Sequence, residues 1–185
     1  MKKQIRSSVF ETNSSSTHSI AIPRSCNTSR YMHFSIGEFG WSFEEVDAAD
    51  YFYTAIYSTS NTMAEVEEKI EKMKNILKAN GIVASFDDAN CKERNGWLEH
   101  DGYIDHGFEL SDFVDELLND EDKLLRFLSG GLVFTGNDNS DSEGFVNRDE
   151  EFVYHYDWKS GIQYTAKNPY YMSNHEDYEW EYKGN

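Results

Sequence analysis

The stretch SDFVDELLNDEDKLLRFLSGGLVFT, Ser111 to Thr135, decides the fold class. Phe113, Val114, Leu117 and Leu118 recur there at the three-and-four spacing of a helix face, with Ser111 as the cap. Asp120 opens a second short helix, whose Leu124, Leu125, Phe127 and Leu128 repeat the spacing up to Gly130-Gly131. Leu132 to Thr135 then reads as an apolar strand, ended by Gly136-Asn137-Asp138-Asn139. Short helices feeding a strand without a regular alternation of the two point to an α+β fold.

Upstream, Ser42-Phe43-Glu44-Glu45 and Thr62-Met63-Ala64-Glu65 both have the form of a capping box, so a helix is expected after each. The second places Val66, Ile70, Met73 and Leu77 on one stripe and stops at Asn80-Gly81. Its charged residues form a solvated face. Ile82 to Phe86, Tyr31 to Ile36, and His18 to Ile22 have strand character, the last two by alternation. Residues 87–110 read as polar and irregular, and Phe152, Tyr154, Tyr156 and Trp158 alternate in an aromatic, acidic C-terminal part of edge strands and loops. The expectation is one domain over residues 1–185: a mixed or antiparallel sheet of about five strands with about four helices. Within it, 1–36 is a basic segment and 137–185 the acidic, aromatic part.

The chain of 185 residues carries a net charge of −17. Residues 1–36 hold five cations against Glu11 alone, a net +4, which leaves −21 for the rest. So acidic a body repels phosphate backbones, and binding of free DNA is not expected. Cys26 and Cys91 lack metal or redox spacing, and no secretory leader or membrane span is legible, so a cytoplasmic protein without metal or cofactor is expected.

Candidate chemistry centres on the polar run Glu11 to His18, with Arg6 just upstream. Phosphodiester chemistry needs groups that take and return a proton and a cation over the developing charge. Glu11 or His18 answers the first need and Arg6 the second. The competing reading is an ordinary Asn/Ser loop that feeds a strand, with His18 half-buried in it. Asp105-His106 adds an acid beside an imidazole. The cluster from Asn137 offers oxygens for a hard cation, but its spacing fails the EF-hand pattern, with Ser142 at the glycine position and Arg148 at the closing acid. A plain turn is the better reading.

The stretch Arg6-Ser7-Ser8-Val9-Phe10-Glu11-Thr12-Asn13-Ser14-Ser15-Ser16-Thr17-His18-Ser19 resembles the N-terminal signature of a family of phage and mobile-element proteins. Tyr103-Ile104-Asp105-His106 and Thr135-Gly136-Asn137-Asp138-Asn139 look like further landmarks of it. Some members are anti-CRISPR proteins that disable the RNA-guided DNA endonuclease of type II-A systems. The resemblance implies that endonuclease and its guide RNA as partners, in a host bacterial cytoplasm. In an enzymatic form, metal-independent and dependent on the target complex, His18 and His106 would share acid and base roles in trimming the guide. Arg6 would steady the phosphate and Glu11 would orient or deprotonate. Asn13, Ser14, Ser15, Ser16, Asp105, Asn137, Asp138 and Asn139 would grip the substrate. The alternative is a non-enzymatic acidic inhibitor, steric or nucleic-acid-mimicking, that blocks guide or target loading.

Overall fold

A computed structural model describes residues 16–94, 97–137, 143–157 and 159–184. In chain order the strands and helices are β1 (Ser16–Pro23), β2 (Tyr31–Phe34), β3 (Glu38–Phe39), β4 (Glu44–Asp47), α1 (Ala48–Ser58), α2 (Met63–Ala79), β5 (Val83–Phe86), β6 (Cys91–Arg94), β7 (Trp97–His100) and β8 (Tyr103–Ile104). A 3-10 turn, Gly107–Leu110, leads into α3 (Ser111–Asn119), α4 (Glu121–Gly130), β9 (Leu132–Asn137), α5 (Glu143–Val146), β10 (Phe152–Asp157), β11 (Ile162–Lys167) and β12 (Tyr178–Gly184). The fold is α+β, as the pattern of Ser111 to Thr135 implies.

The principal sheet has the order β12-β1-β9-β4 and is antiparallel throughout. Four two-stranded ladders surround it, two of them parallel: β2 with β5, and β3 with β8. On one face of the sheet Ile20, Ile22 and Val133 join a core with Phe52, Ile56, Phe113, Leu117, Leu124 and Phe127 from α1, α3 and α4. Helix α1 is buried nearly all round, which explains why its sequence lacks a polar stripe. Phe127 meets Phe52 and Phe113 edge-on, at centroid separations of 6.2 and 5.4 Å.

On the other face Arg148 lies among aromatic rings. Its guanidinium sits 3.8 Å from the Phe134 ring and 4.5 Å from the Phe145 ring, while its Nε–H donates to the Phe145 carbonyl. Strand β12 is fastened to α4 by two cations. Lys123 pairs with Glu116 and Glu181 at 2.6 and 2.7 Å, and Arg126 pairs with Asp122 and Glu179. The β10–β11 hairpin is held at its root by Asn168, itself 2 % exposed. The Asn168 side-chain amide donates to the carbonyls of Asn147 and Glu150, and its oxygen accepts from the Tyr170 N–H.

Three local expectations need correction. A helix does follow Ser42-Phe43-Glu44-Glu45, but that segment does not cap it: Val46 is drawn into register with Val133, so Glu44–Asp47 becomes β4 and α1 starts at Ala48. The true cap is Asp47, whose carboxylate accepts from the Ala49 and Asp50 N–H groups. Ser111 is the first residue of α3 and not its cap, because the 3-10 turn runs straight into the helix. Residues 87–110, expected to be irregular, carry three short strands and that turn. The second capping box holds: the Thr62 hydroxyl accepts from the Glu65 N–H, while the Glu65 carboxylate reaches the N–H of Asn61. Gly81, at φ 71°, makes the left-handed stop. No helix among the described residues is long and apolar enough to cross a membrane.

Phe127→Ala is expected to lower the unfolding free energy by about 3–5 kcal/mol, because it opens a cavity where α1, α3 and α4 meet. Glu68→Ala, on the solvated side of α2, should change it by about 0.5 kcal/mol or less. Urea titration of the two variants beside the parent checks both.

Candidate functional site

Ser16 and His18 lie two residues apart on β1 and so project from the same face of the sheet. Above them passes the turn that leaves β8. The parallel pairing of β3 with β8 delivers that turn, and the Asp105 N–H extends the pairing by donating to the Phe39 carbonyl at 3.0 Å. His106, at φ 56°, then reverses the chain in the left-handed region. The Asp105 carbonyl is thereby brought over β1, where the His18 Nε2–H donates to it at 2.9 Å and the Ser16 hydroxyl at 3.1 Å. On the other side of the ring, the Tyr51 hydroxyl of α1 donates to His18 Nδ1 at 3.1 Å. Burial pushes the Tyr51 phenol far above its ordinary range, so it keeps its proton, while the Asp105 carbonyl can only accept and so requires a proton on His18 Nε2. This network assigns the His18 proton to Nε2.

Gly40 completes the closure. Its φ is 98°, and a Cβ there would stand 3.0 Å from both Asp105 Cβ and His18 Cε1, so a side chain would be strained and crowded at once. Next to it, the Gly40 N–H donates to a Glu44 carboxylate oxygen, and the Thr135 hydroxyl donates to the Ser42 carbonyl at 3.0 Å. Thr135 faces His18 across the β1–β9 ladder. The Tyr103 hydroxyl donates to the Asp105 carboxylate at 3.1 Å, and the Tyr103 ring stacks on Trp41.

The structure thus joins parts of all three sequence landmarks: Ser16 and His18 from the first, Asp105 from the second, and Thr135 with Asn137 from the third, the last through its backbone pairing with Ser16. Arg6, Glu11, Asn13, Ser14, Ser15, Asp138 and Asn139 lie outside the described residues. His106 takes part through its backbone turn, with its ring partly buried. One expectation changes. His18 is not half-buried but 1 % exposed, and Ser16 is 0 % exposed, because both faces of β1 are covered. A general base needs a lone pair within reach of its substrate. Both ring nitrogens of His18 are engaged inside the fold, where they tie β1 to α1 and to the β8 turn. Tyr51 and Gly40, which make these ties possible, carry no local motif that would mark them.

No group of three or more His, Cys, Asp or Glu among the described residues is arranged to hold a metal. His33 links Ser85 (2.8 Å, Nδ1 to Oγ) and Asp87 (3.4 Å, Nε2 to Oδ1) in the order of a nucleophile triad. The His33 and Asp87 side chains are 58 % and 56 % exposed, however, and a carboxylate in water neither fixes nor strongly polarises an imidazole. Cys91 faces His100 across β6–β7, but burial raises its thiol, the opposite of an activated nucleophile.

Tyr51→Phe removes the phenol that reaches His18 Nδ1 and is expected to cost about 1–3 kcal/mol in urea unfolding. Gly40→Ala should be destabilising by about 1–3 kcal/mol through its backbone alone. Burial holds the His100 imidazole below its ordinary value of 6.5. The unfolded chain therefore takes up that proton first, and stability falls as pH drops from about 6.5 toward the lower folded value. Urea midpoints measured between pH 7.5 and pH 5.5 should show this decline, with a shallower slope in His100→Gln.

No family model, no curated protein and no solved structure matches the chain, so the reading of this site rests on its own chemistry.

Proposed function

We propose that the protein is a phage-type inhibitor of a type II-A RNA-guided DNA endonuclease, acting by binding and not by cutting the guide RNA. The observation that carries the choice of mechanism is the sealed state of His18, whose two ring nitrogens are spent on Tyr51 and the Asp105 carbonyl. With that imidazole engaged inside the fold, the reading turns on charge. A body with a net charge of −17 has little affinity for free nucleic acid. It has long-range attraction for a cationic channel built to hold phosphates, and competes there with guide or target. The landmark residues serve this function by keeping the fold rigid, and the resemblance of Arg6 to Ser19 to the phage signature supplies the identity of the target.

Titration of the protein into a purified endonuclease–guide complex tests the proposal, with target-DNA cleavage and guide length both read on denaturing gels. Inhibition is expected to saturate near stoichiometry and to weaken several-fold from low to high salt, as the Debye length shrinks from about 30 Å at 0.01 M to about 8 Å at 0.15 M. The guide is expected to stay full-length throughout. A guide shortened in step with added inhibitor would overturn the binding mechanism. Undiminished DNA cleavage at all ratios would overturn the choice of target.

A further inference from the structure

Strand β11 has an edge that the fold leaves open. The Asn168 N–H donates to the Glu151 carbonyl at 2.8 Å, and these two residues stand directly opposite in the register that pairs Phe152 with Lys167. In an antiparallel ladder, residues bonded in this way alternate with residues whose backbone groups point away. Ala166, Tyr164 and Ile162 therefore turn their N–H and C=O groups toward β10, while Lys167, Thr165 and Gln163 turn theirs outward. No further strand among the described residues pairs with that edge. Solvent reaches it, since Ile162, Gln163, Tyr164, Thr165 and Lys167 are all exposed.

Sheet edges are usually guarded by charge, proline or a bulge, because their unpaired backbone groups invite another strand. The edges of the principal sheet are guarded by charge: β4 carries Glu44, Glu45 and Asp47, and β12 carries Glu179 and Glu181. β11, Ile162-Gln163-Tyr164-Thr165-Ala166-Lys167, has no carboxylate and no proline, and its register with β10 runs without a bulge. Its charge is confined to Lys167 at the base, which is drawn to Glu151 at 3.5 Å. The strand is also complementary to itself. In an antiparallel register centred on Thr165, each outward residue exchanges N–H and C=O with one of a second copy, Thr165 with Thr165 and Gln163 with Lys167. Threonine opposite threonine is a favourable pair, and no like charges meet. On the other face Tyr164 comes to lie beside Ala166, a large ring against a methyl group. Through such a contact a chain of net charge −17 meets its own kind without setting acid against acid.

We infer that, independently of the proposed target, two copies of the chain join edge to edge through β11 and merge their hairpins into one continuous sheet. Multi-angle light scattering over a concentration series tests this for the parent and for Thr165→Pro, Thr165→Lys and Thr165→Val. Proline deletes an outward N–H without touching the bonds to β10. Lysine sets like charges across the two-fold axis, and valine keeps the backbone pairing. Circular dichroism first establishes that the variants keep the parent's melting temperature, as expected at an exposed edge, and where proline shifts the melt the lysine and valine variants carry the comparison. Hydrogen exchange at the Gln163 and Thr165 amides is followed with and without the endonuclease–guide complex.

The expected result is a parent that reaches twice the mass of one chain, a Thr165→Val variant that follows it, and a dissociation constant about ten-fold higher or more in Thr165→Pro and Thr165→Lys. Because both copies are anionic, the dimer should tighten several-fold between about 0.01 M and about 0.15 M salt, the reverse of docking on a cationic channel. A parent that stays monomeric at every concentration and salt overturns the inference, and the proposed function stands if that monomer still inhibits the endonuclease. A dimer indifferent to both proline and lysine at position 165 overturns the β11 edge. Amides protected only on addition of the endonuclease–guide complex overturn the second copy in favour of a strand supplied by that partner. Dimerisation lost in Thr165→Lys and kept in Thr165→Val, by a parent that leaves the endonuclease fully active, upholds this edge and removes the proposed target.

Discussion

Strand β1 is covered on both faces although it carries Ser16, His18 and Ser19, and this constraint governs the structure around it. A polar side chain taken out of water costs free energy unless a partner replaces the solvent. For His18 two partners must come from different parts of the chain, one from α1 and one from the turn after β8. That requirement fixes where the helix lies over the sheet and how far the β8 turn reaches. It also forces a glycine at position 40, where a Cβ would intrude on both.

The covering of the two faces is unequal in kind. On one face of the sheet the cover is a hydrophobic core with a polar end, and on the other Phe134 packs against Trp180, Phe145 and the Arg148 guanidinium. Burial disfavours the charged form of Arg148, and the Glu45 carboxylate works against that. The cations Lys123, Arg126 and Arg148 are thus committed to holding elements together. The negative balance of the chain comes from its 34 acids against 17 bases.

The helices α2, α3 and α4 and the strands that follow were legible because their signals are local: apolar spacing, a capping threonine, a glycine stop. Ser42-Phe43-Glu44-Glu45 misled for the same reason. Its letters satisfy a capping box, yet Val46 gains more by pairing with Val133 across the sheet. The convergence of Ser16, His18, Asp105 and Asn137 follows from three polar landmarks far apart in sequence, and the structure joins them. What the residues did not reveal was that His18 would be sealed. Alternation of His18, Ile20 and Ile22 with small residues reads as a half-exposed strand, and only partners 33 and 87 positions away turn it into an interior one. Tyr51 looked like one aromatic among many on a helix without a polar side.

Asn168 gives the hairpin an unusual mechanical character for so short an appendage. With its amide spent on two carbonyls and its oxygen on the next turn, the base of β10 and β11 is clamped while their outer half stands in solvent. A stiff projection of this kind meets another molecule with its backbone already ordered, so little conformational entropy is lost on contact. Exchanges at the outward positions of β10 and β11 therefore leave the clamp at their base undisturbed.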